Sequence, residues 1–391
     1  MSKKSKKIVA IFVILFFIIA LIGISIFYVI SSLNPTDDFI NGNVCNSTSP
    51  CETTRFIVEE GAYPKDTLYK LQDENIIRNA DMAYYYNRIL GGYDFYAGTY
   101  EIPHSQNGIN MSLDDILYYI SVPTNAKQDI STILLDEGDF AKSFARKIAE
   151  NIEITDLTYE NKDEETIRIL QYWNDPDVVR SYMNDYPFLT EDIINGDAKI
   201  LMEGYLFPDT YQFLEYSSID QVTRKILDRT LEIYNEHINE FNNSKLSTHE
   251  IFTLASIIQW ESGDPEDSTK VAGVFLNRME SPEVEGTGGK LQSTVTACYA
   301  FDLTKSECDH IGDSFYITEQ EHAYNTYLNE GLPPGPVCCP NEIALNAALN
   351  PNQNGNYYYF VANKCEGGLV FSRTYAEHET NGYKYNVACA E

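Results

Sequence analysis

Ser247-Thr248-His249-Glu250-Ile251-Phe252-Thr253-Leu254-Ala255-Ser256-Ile257-Ile258-Gln259-Trp260-Glu261-Ser262-Gly263 is the stretch of this 391-residue chain from which the rest is read. Ser247 with Glu250 three residues on is a capping-box signature, so a helix opens there. Leu254, Ile257 and Ile258 mark one apolar stripe, and Glu261 lies on the same face at helical spacing. A carboxylate ending an apolar stripe is partly desolvated, which disfavours its charged form and raises its pKa. That is the property of a general acid working near neutral pH. Gly263 is placed to stop the helix. From spacing alone the plainer reading is a helix-terminal glutamate turned toward water, because surface carboxylates far outnumber catalytic ones.

Downstream, Thr269 to Met279 reads as a further helix with Val271, Val274 and Phe275 on its core face. Asp264 and Glu266, just before it, read as exposed loop carboxylates. Ser281 to Lys290 is a Gly-rich loop that runs into Leu291-Gln292-Ser293, and neither G-x-x-x-x-G-K nor G-x-G-x-x-G occurs there. Tyr324-Asn325-Thr326-Tyr327 precedes Gly331-Leu332-Pro333-Pro334-Gly335-Pro336, where prolines rule out a helix and stiffen an extended wall. Pro340-Asn341 caps a helix from Glu342 to Leu349. Tyr357 to Ala362 and Leu369 to Ser372 read as a hairpin. Ser372, Thr374, His378 and Glu379 are the right types for a nucleophile and base, but no G-x-S-x-G elbow supports that chemistry.

Upstream, residues 35–54 read as a polar linker. A strand from Phe56 ends at the Glu60-Gly61 turn, and a helix with Leu68, Leu71, Ile76 and Ile77 follows. Tyr96 to Ile102 reads as a second strand, and Ser112, with Asp115 three residues on, caps a helix to Ile120. A weak repeat relates Glu60-Gly61, Lys65, Leu68 and Leu71 to Glu137-Gly138, Lys142, Ala145 and Ile148 at equal offsets, each copy strand, turn, helix. Residues 150–200 are acidic and helical in pattern. At the N-terminus Lys3, Lys4, Lys6 and Lys7 precede an uncharged run, Ile8 to Ile30, long enough to span a hydrocarbon core of about 30 Å. The flanking lysines place the N-terminus in the cytoplasm. A cleaved signal has a shorter apolar region, about 7–15 residues, and Ser31 to Pro35 offers no small-residue cleavage site. The expectation is a single-pass anchor in the plasma membrane, with everything after Pro35 outside.

The chain carries 28 Lys+Arg against 58 Asp+Glu, a formal net charge of −30, which repels nucleic acid and anionic lipid alike. Hydrophobic residues make up 43%, enough to exclude wholesale disorder. Its 29 Tyr suit carbohydrate surfaces and are equally at home in strands. All 8 cysteines follow the apolar run, and an even count there suggests disulfides. Cys45 with Cys51 and Cys298 with Cys308 are the closest pairs, although connectivity does not follow from sequence. Cys338-Cys339 is no zinc knuckle and the histidines are scattered, so neither metal nor other cofactor is expected.

These segments, with Glu203-Gly204-Tyr205-Leu206-Phe207-Pro208-Asp209-Thr210-Tyr211, Val271-Ala272-Gly273-Val274-Phe275-Leu276-Asn277-Arg278, Ala347-Ala348-Leu349-Asn350-Pro351 and Tyr359-Phe360-Val361-Ala362, stand in one order along the chain. In that order they resemble the YceG-like (MltG) family of endolytic murein transglycosylases, from about residue 55 to the end. The resemblance implies an α+β fold with a membrane anchor (1–34), a linker (35–54) and a small LysM-like α/β subdomain (55–125). A second small β-α unit with a helical connector (126–200) and a larger mixed α/β catalytic domain (201–391) complete it. The family's E-x-E-[TS]-G-like segment reads Gln259-Trp260-Glu261-Ser262-Gly263 here, so its second Glu is kept as Glu261. Its L-Q-S-D-P-T segment reads Leu291-Gln292-Ser293-Thr294-Val295-Thr296, without the Asp.

By that resemblance Glu261 is the catalytic acid, and Glu203, Gln292, Tyr324 and Asn325 are the expected substrate contacts. The implied reaction cleaves the bond between N-acetylmuramic acid and N-acetylglucosamine in nascent glycan strands. It leaves 1,6-anhydro ends and sets strand length. Penicillin-binding proteins and the elongation machinery are the implied partners. Two alternatives stay open: a weak or inactive glycan-binding scaffold of the same machinery, and a muramidase that uses water and a second carboxylate.

Overall fold

The structure, a computed structural model, describes residues 20–21, 23–24, 27–29, 31–40, 53–59, 61–106, 109–127, 130–154, 161–214, 217–303, 307–308 and 315–387. It is a mixed α+β chain with small sheets, in two units. One runs to Ile130 and takes in Leu214–Ser217; the other comprises Ser131–Phe213 and Ser218–Glu391.

The first unit runs β1 (Thr53–Val58), α1 (Pro64–Asp73), α2 (Ala80–Tyr86), β2 (Gly98–Pro103), α3 (Leu113–Ile120) and β3 (Ala126–Lys127). Strands β1 and β2 pair antiparallel with Phe56 opposite Tyr100, and β3 adds to the free edge of β2. Gly61, at φ 75°, makes the turn before α1, a conformation that side chains other than glycine's resist. The capping box of Ser112 and Asp115 forms as the sequence predicts. Ile76 and Ile77 lie beyond the end of α1, yet they are buried with Phe56, Leu68, Leu71, Tyr100, Ile116 and Ile120 in one core.

Part of the expected linker belongs to this core. Pro35 bridges to Ile77, the Thr36 N–H donates to the Ile76 carbonyl at 3.1 Å, and Phe39 is 3% exposed against His104. Arg78 donates to the Pro35 carbonyl at 2.9 Å and pairs with Asp37. The polar composition concealed one aromatic anchor, whose burial, with the Thr36 and Arg78 bonds, offsets part of the entropy lost in fixing the segment. Residues 41–52, with Cys45 and Cys51, lie outside the described residues, as does most of the run from Ile8 to Ile30. Among the described residues no helix is long and apolar enough to cross a membrane.

The second unit takes in β4 (Ile130–Leu134) from Ser131 and its partner β5 (Thr210–Leu214) as far as Phe213, and α4 (Ala141–Asn151) follows the Gly138 turn. After α5 (Lys162–Trp173) and α6 (Ile219–Glu236) come α7 (Thr248–Glu261), α8 (Pro265–Glu280), α9 (Thr294–Ala300) and α10 (Glu342–Leu349). The hairpin β6 (Tyr359–Ala362) and β7 (Leu369–Ser372) and helix α11 (Tyr375–Asn381) close the unit.

Helix α7 departs from the single stripe that its spacing suggests. Ile251 through Ile258 are all buried, because α8, α10 and the Pro-rich segment cover it from several sides. Each large apolar side chain among them contributes about 1.5–3 kcal/mol. Helix α8 starts at Pro265, earlier than the expected Thr269. Asp264 caps it by accepting from the N–H groups of Glu266 and Asp267. Asp264 and Glu266 are therefore helix-start residues, correcting their reading as loop carboxylates. Extended Ser262, ahead of that cap, ends α7 directly after Glu261, and Gly263 needs no left-handed turn to do so.

Candidate active site

Glu261 is the last residue of α7, half-buried, and its Oε1 accepts a hydrogen bond from the Ser293 hydroxyl at 2.6 Å. Burial pushes its pKa above the ordinary carboxylate value, while the Ser293 bond and the Arg278 charge pull part of the way back. The result is a carboxyl that is easily protonated and has a partner for its ionised form.

Arg278, near the end of α8, is 7% exposed. Its Nε donates to the Tyr358 carbonyl at 2.6 Å, its Nη1 donates to the Leu291 carbonyl, and its guanidinium lies over the Tyr359 ring. Burial lowers its pKa to about 10, with Glu261 opposing, so it remains a cation at neutral pH. His378 stacks on Tyr359, and burial followed by the Arg278 charge keeps it below the usual histidine value.

Ser293 stands at the N-cap of α9, yet its side chain caps nothing, because the hydroxyl is turned to Glu261. Its backbone is fixed instead. Ser293 N–H donates to Thr326 Oγ1 at 3.1 Å and Gln292 N–H to the Thr326 carbonyl at 3.1 Å. The Thr294 and Tyr327 hydroxyls bond at 2.9 Å. The Leu291-Gln292-Ser293 and Tyr324-to-Tyr327 segments thus form one floor beside Glu261.

The expected substrate contacts divide. Gln292 is partly exposed, at φ 53°, and its Nε2 donates to the Gly286 carbonyl of the Gly-rich loop at 2.7 Å. It is available at the surface. Glu203, Tyr324 and Asn325 are 1%, 1% and 0% exposed. Asn325 Nδ2 donates to the Thr318 and Gln320 carbonyls, and its Oδ1 accepts from the Tyr327 N–H. The Tyr324 hydroxyl accepts from the Lys199 N–H. Glu203 accepts from the Ala141 N–H and the Tyr299 hydroxyl. Their polar atoms are bonded inside the protein, where they brace the floor.

Neighbouring elements hold the end of α7 in place. Trp260 Nε1 donates to the Gly138 carbonyl at 2.9 Å and its ring stacks on Phe140, so the second β-α unit docks beside Glu261. Gln259 Oε1 accepts from the Asn341 N–H, seating the start of α10. The Pro-rich wall is pinned by the Val337 N–H on Ser256 Oγ and by His249, whose Nε2 donates to the Pro334 carbonyl. The carbonyl can only accept, so Nε2 carries a proton, and Nδ1 bonds the Tyr205 hydroxyl at 2.6 Å. Cys298 and Cys308 are disulfide-bonded, while Cys338 and Cys339 are buried thiols, the first donating to the Ser256 carbonyl.

Sequence reasoning had not assigned roles to Ser293 and Arg278. Ser293 carried the signal of an ordinary N-cap, and Arg278 that of a cation in a helix's last turn. Only the tertiary fold puts the Ser293 hydroxyl on that carboxyl and the Arg278 charge within its reach.

A model of the YceG-like family matches residues 56–384. The chain belongs to the YceG-like family. This YceG-like chain is 29% identical over 317 residues to the endolytic murein transglycosylase of Bacillus subtilis (strain 168), covering 81% of this chain and 80% of that one. It is 27% identical over 333 residues to the protein of the same name from Streptococcus pneumoniae (strain ATCC BAA-255 / R6), covering 83% of this chain but 57% of that longer one. The crystal structure of a yceG-like protein from Listeria monocytogenes superposes with a TM-score of 0.55 at 28% identity, over 85% of this chain and 99% of that one.

Proposed function

We propose that this chain is an endolytic peptidoglycan lytic transglycosylase that cleaves between N-acetylmuramic acid and N-acetylglucosamine and leaves 1,6-anhydro ends. Glu261 is its catalytic acid. The observation that carries the reading is the company Glu261 keeps. Among the described residues, a hydroxyl and a cation act on its carboxyl.

Protonated Glu261 donates to the glycosidic oxygen as the bond to the muramic-acid C1 breaks. Arg278 and Ser293 stabilise the carboxylate that this leaves. That carboxylate takes the proton of the C6 hydroxyl as its oxygen closes on C1. The acid is restored and no water is consumed. Gln292, on the Gly-rich rim, holds the sugar.

The setting follows the same reading. The apolar run from Ile8 to Ile30 serves as a plasma-membrane anchor with the N-terminus inside, supported by its length and its flanking lysines. The order β1-α1-α2-β2, with β1 and β2 antiparallel, supports a LysM-like role for the first unit in holding glycan. Strands leaving penicillin-binding proteins are the expected substrate. The test is digestion of un-crosslinked nascent strands by the full-length protein and its Glu261→Gln variant, with ends read by mass spectrometry. Anhydro ends from the wild type alone support the reading. Hydrated reducing ends would point to a muramidase, and intact strands with retained binding to a scaffold.

A further inference from the structure

Helix α9 has 7 residues, too few to hold its own position in water. Its N-cap nevertheless supplies the hydroxyl on Glu261. Two residues of one upstream segment grip its far end. Lys199 Nζ donates to the Tyr299 carbonyl at 3.0 Å and the Ala300 carbonyl at 3.3 Å, and pairs with Asp302 at 2.8 Å. These contacts satisfy carbonyls that a helix C-terminus leaves open, with a cation where the helix dipole favours one. Glu203 Oε2 accepts from the Tyr299 hydroxyl at 3.2 Å, while its Oε1 accepts from the Ala141 N–H in the first turn of α4 at 2.8 Å. Glu203 therefore ties α9 to α4. The Gly138 turn just before α4 is itself bonded to Trp260, the neighbour of Glu261. Both ends of the Ser293–Glu261 pair hang from this one carboxylate.

We propose that Glu203 is a positioning residue for the catalytic acid: with Lys199 it clamps α9 so that Ser293 stays on the carboxyl of Glu261. The proposal rests on the transglycosylase reading and gives the buried glutamate a part in it. A carboxylate suits the task, since it accepts charge-assisted bonds from two elements at once. The titratable groups around Glu203 are Tyr299 on α9, Cys339 on the Pro-rich wall, Lys199 on its own segment and Tyr324 on the floor. Burial raises Glu203 to about 7, and the Ala141, Tyr299, Cys339 and Lys199 groups all favour its ionised form.

The clamp predicts a readout that loss of packing does not give. Ser293 donates to ionised Glu261 and so holds its pKa down. A slack α9 weakens that bond, and the alkaline limb of kcat, where the acid loses its proton, moves to higher pH. Full-length protein in detergent is assayed on un-crosslinked glycan strands across neutral pH, as wild type, Ser293→Ala, Glu203→Gln, Tyr299→Phe and the Glu203→Gln/Ser293→Ala double variant. Tyr299→Phe keeps the ring and its packing should Glu203→Gln fold poorly. The expected result is kcat down about tenfold in Glu203→Gln with KM within about twofold. All three single variants shift the limb upward, and the double variant shifts it no further than Ser293→Ala. Anhydro ends from the wild type, together with an unmoved limb in Glu203→Gln and Tyr299→Phe, overturn the clamp alone. Wild-type products without anhydro ends overturn the parent reading and the clamp with it.

Discussion

Ser293 leaves a helix cap unmade in order to hold Glu261. A cap is worth about 1 kcal/mol, so Ser293→Ala forfeits little of that kind. Its thermal midpoint should stay near wild type while turnover falls. Glu261→Gln removes the transferable proton and should lower kcat by at least about a hundredfold with folding intact, as read by circular dichroism beside the digestion assay. Glu203 makes a separate prediction about stability. Its folded pKa, about 7, lies above the ordinary glutamate value of about 4.5, so the folded state binds its proton more tightly. That contribution is fully present below about pH 4.5 and is lost as pH rises through about 7. A melting series from acid to mildly alkaline buffer should show the midpoint falling over that window in the wild type and falling less in Glu203→Gln. Equal slopes in the two proteins would refute the assignment.

At the scale of elements, α7 and α8 carry the site, and their fit is tight. A Cβ on Gly273 of α8 would stand 2.1 Å from the Asn352 carbonyl oxygen, which is backbone and cannot swing away. Gly273→Ala should therefore cost more than about 2 kcal/mol despite alanine's better helix propensity, seen as a lowered urea midpoint. What the sequence disclosed about these elements was local. The Ser112 and Ser247 capping boxes, the Asn341 cap and the β6–β7 hairpin all rest on contacts a few residues apart, and all formed. Asp264-Pro265 is an equally local helix start, a cap followed by a proline, hidden among surface charges. Contacts across the fold left no such trace. The covering of α7 on several sides, Arg278 beside Glu261 and the occupied acceptors of Glu203 each depend on residues brought in from far along the chain. Ordered motifs pointed to Glu261, and only packing separated surface Gln292 from buried Tyr324 and Asn325.

At the scale of the whole molecule, a net charge of −30 sets a background of self-repulsion. Added salt, by screening it, should raise the melting midpoint of the full chain from its low-salt value. The first unit has its own key in Phe39, which closes its core from a segment that looks like linker. Phe39→Ala should cost about 3–5 kcal/mol there and should appear first as protease sensitivity between residues 31 and 58. The cysteines carry a consequence for how the chain must be made. Cys298 finds Cys308 across a separation of 10 residues, a search that is over early. Cys338 is sheltered only when the wall meets Ser256, a separation of 82. In an oxidising medium two thiols thus stay open to mispairing after their neighbours have closed. The order of events, and the speed of collapse around α7, decide the yield of correctly linked protein.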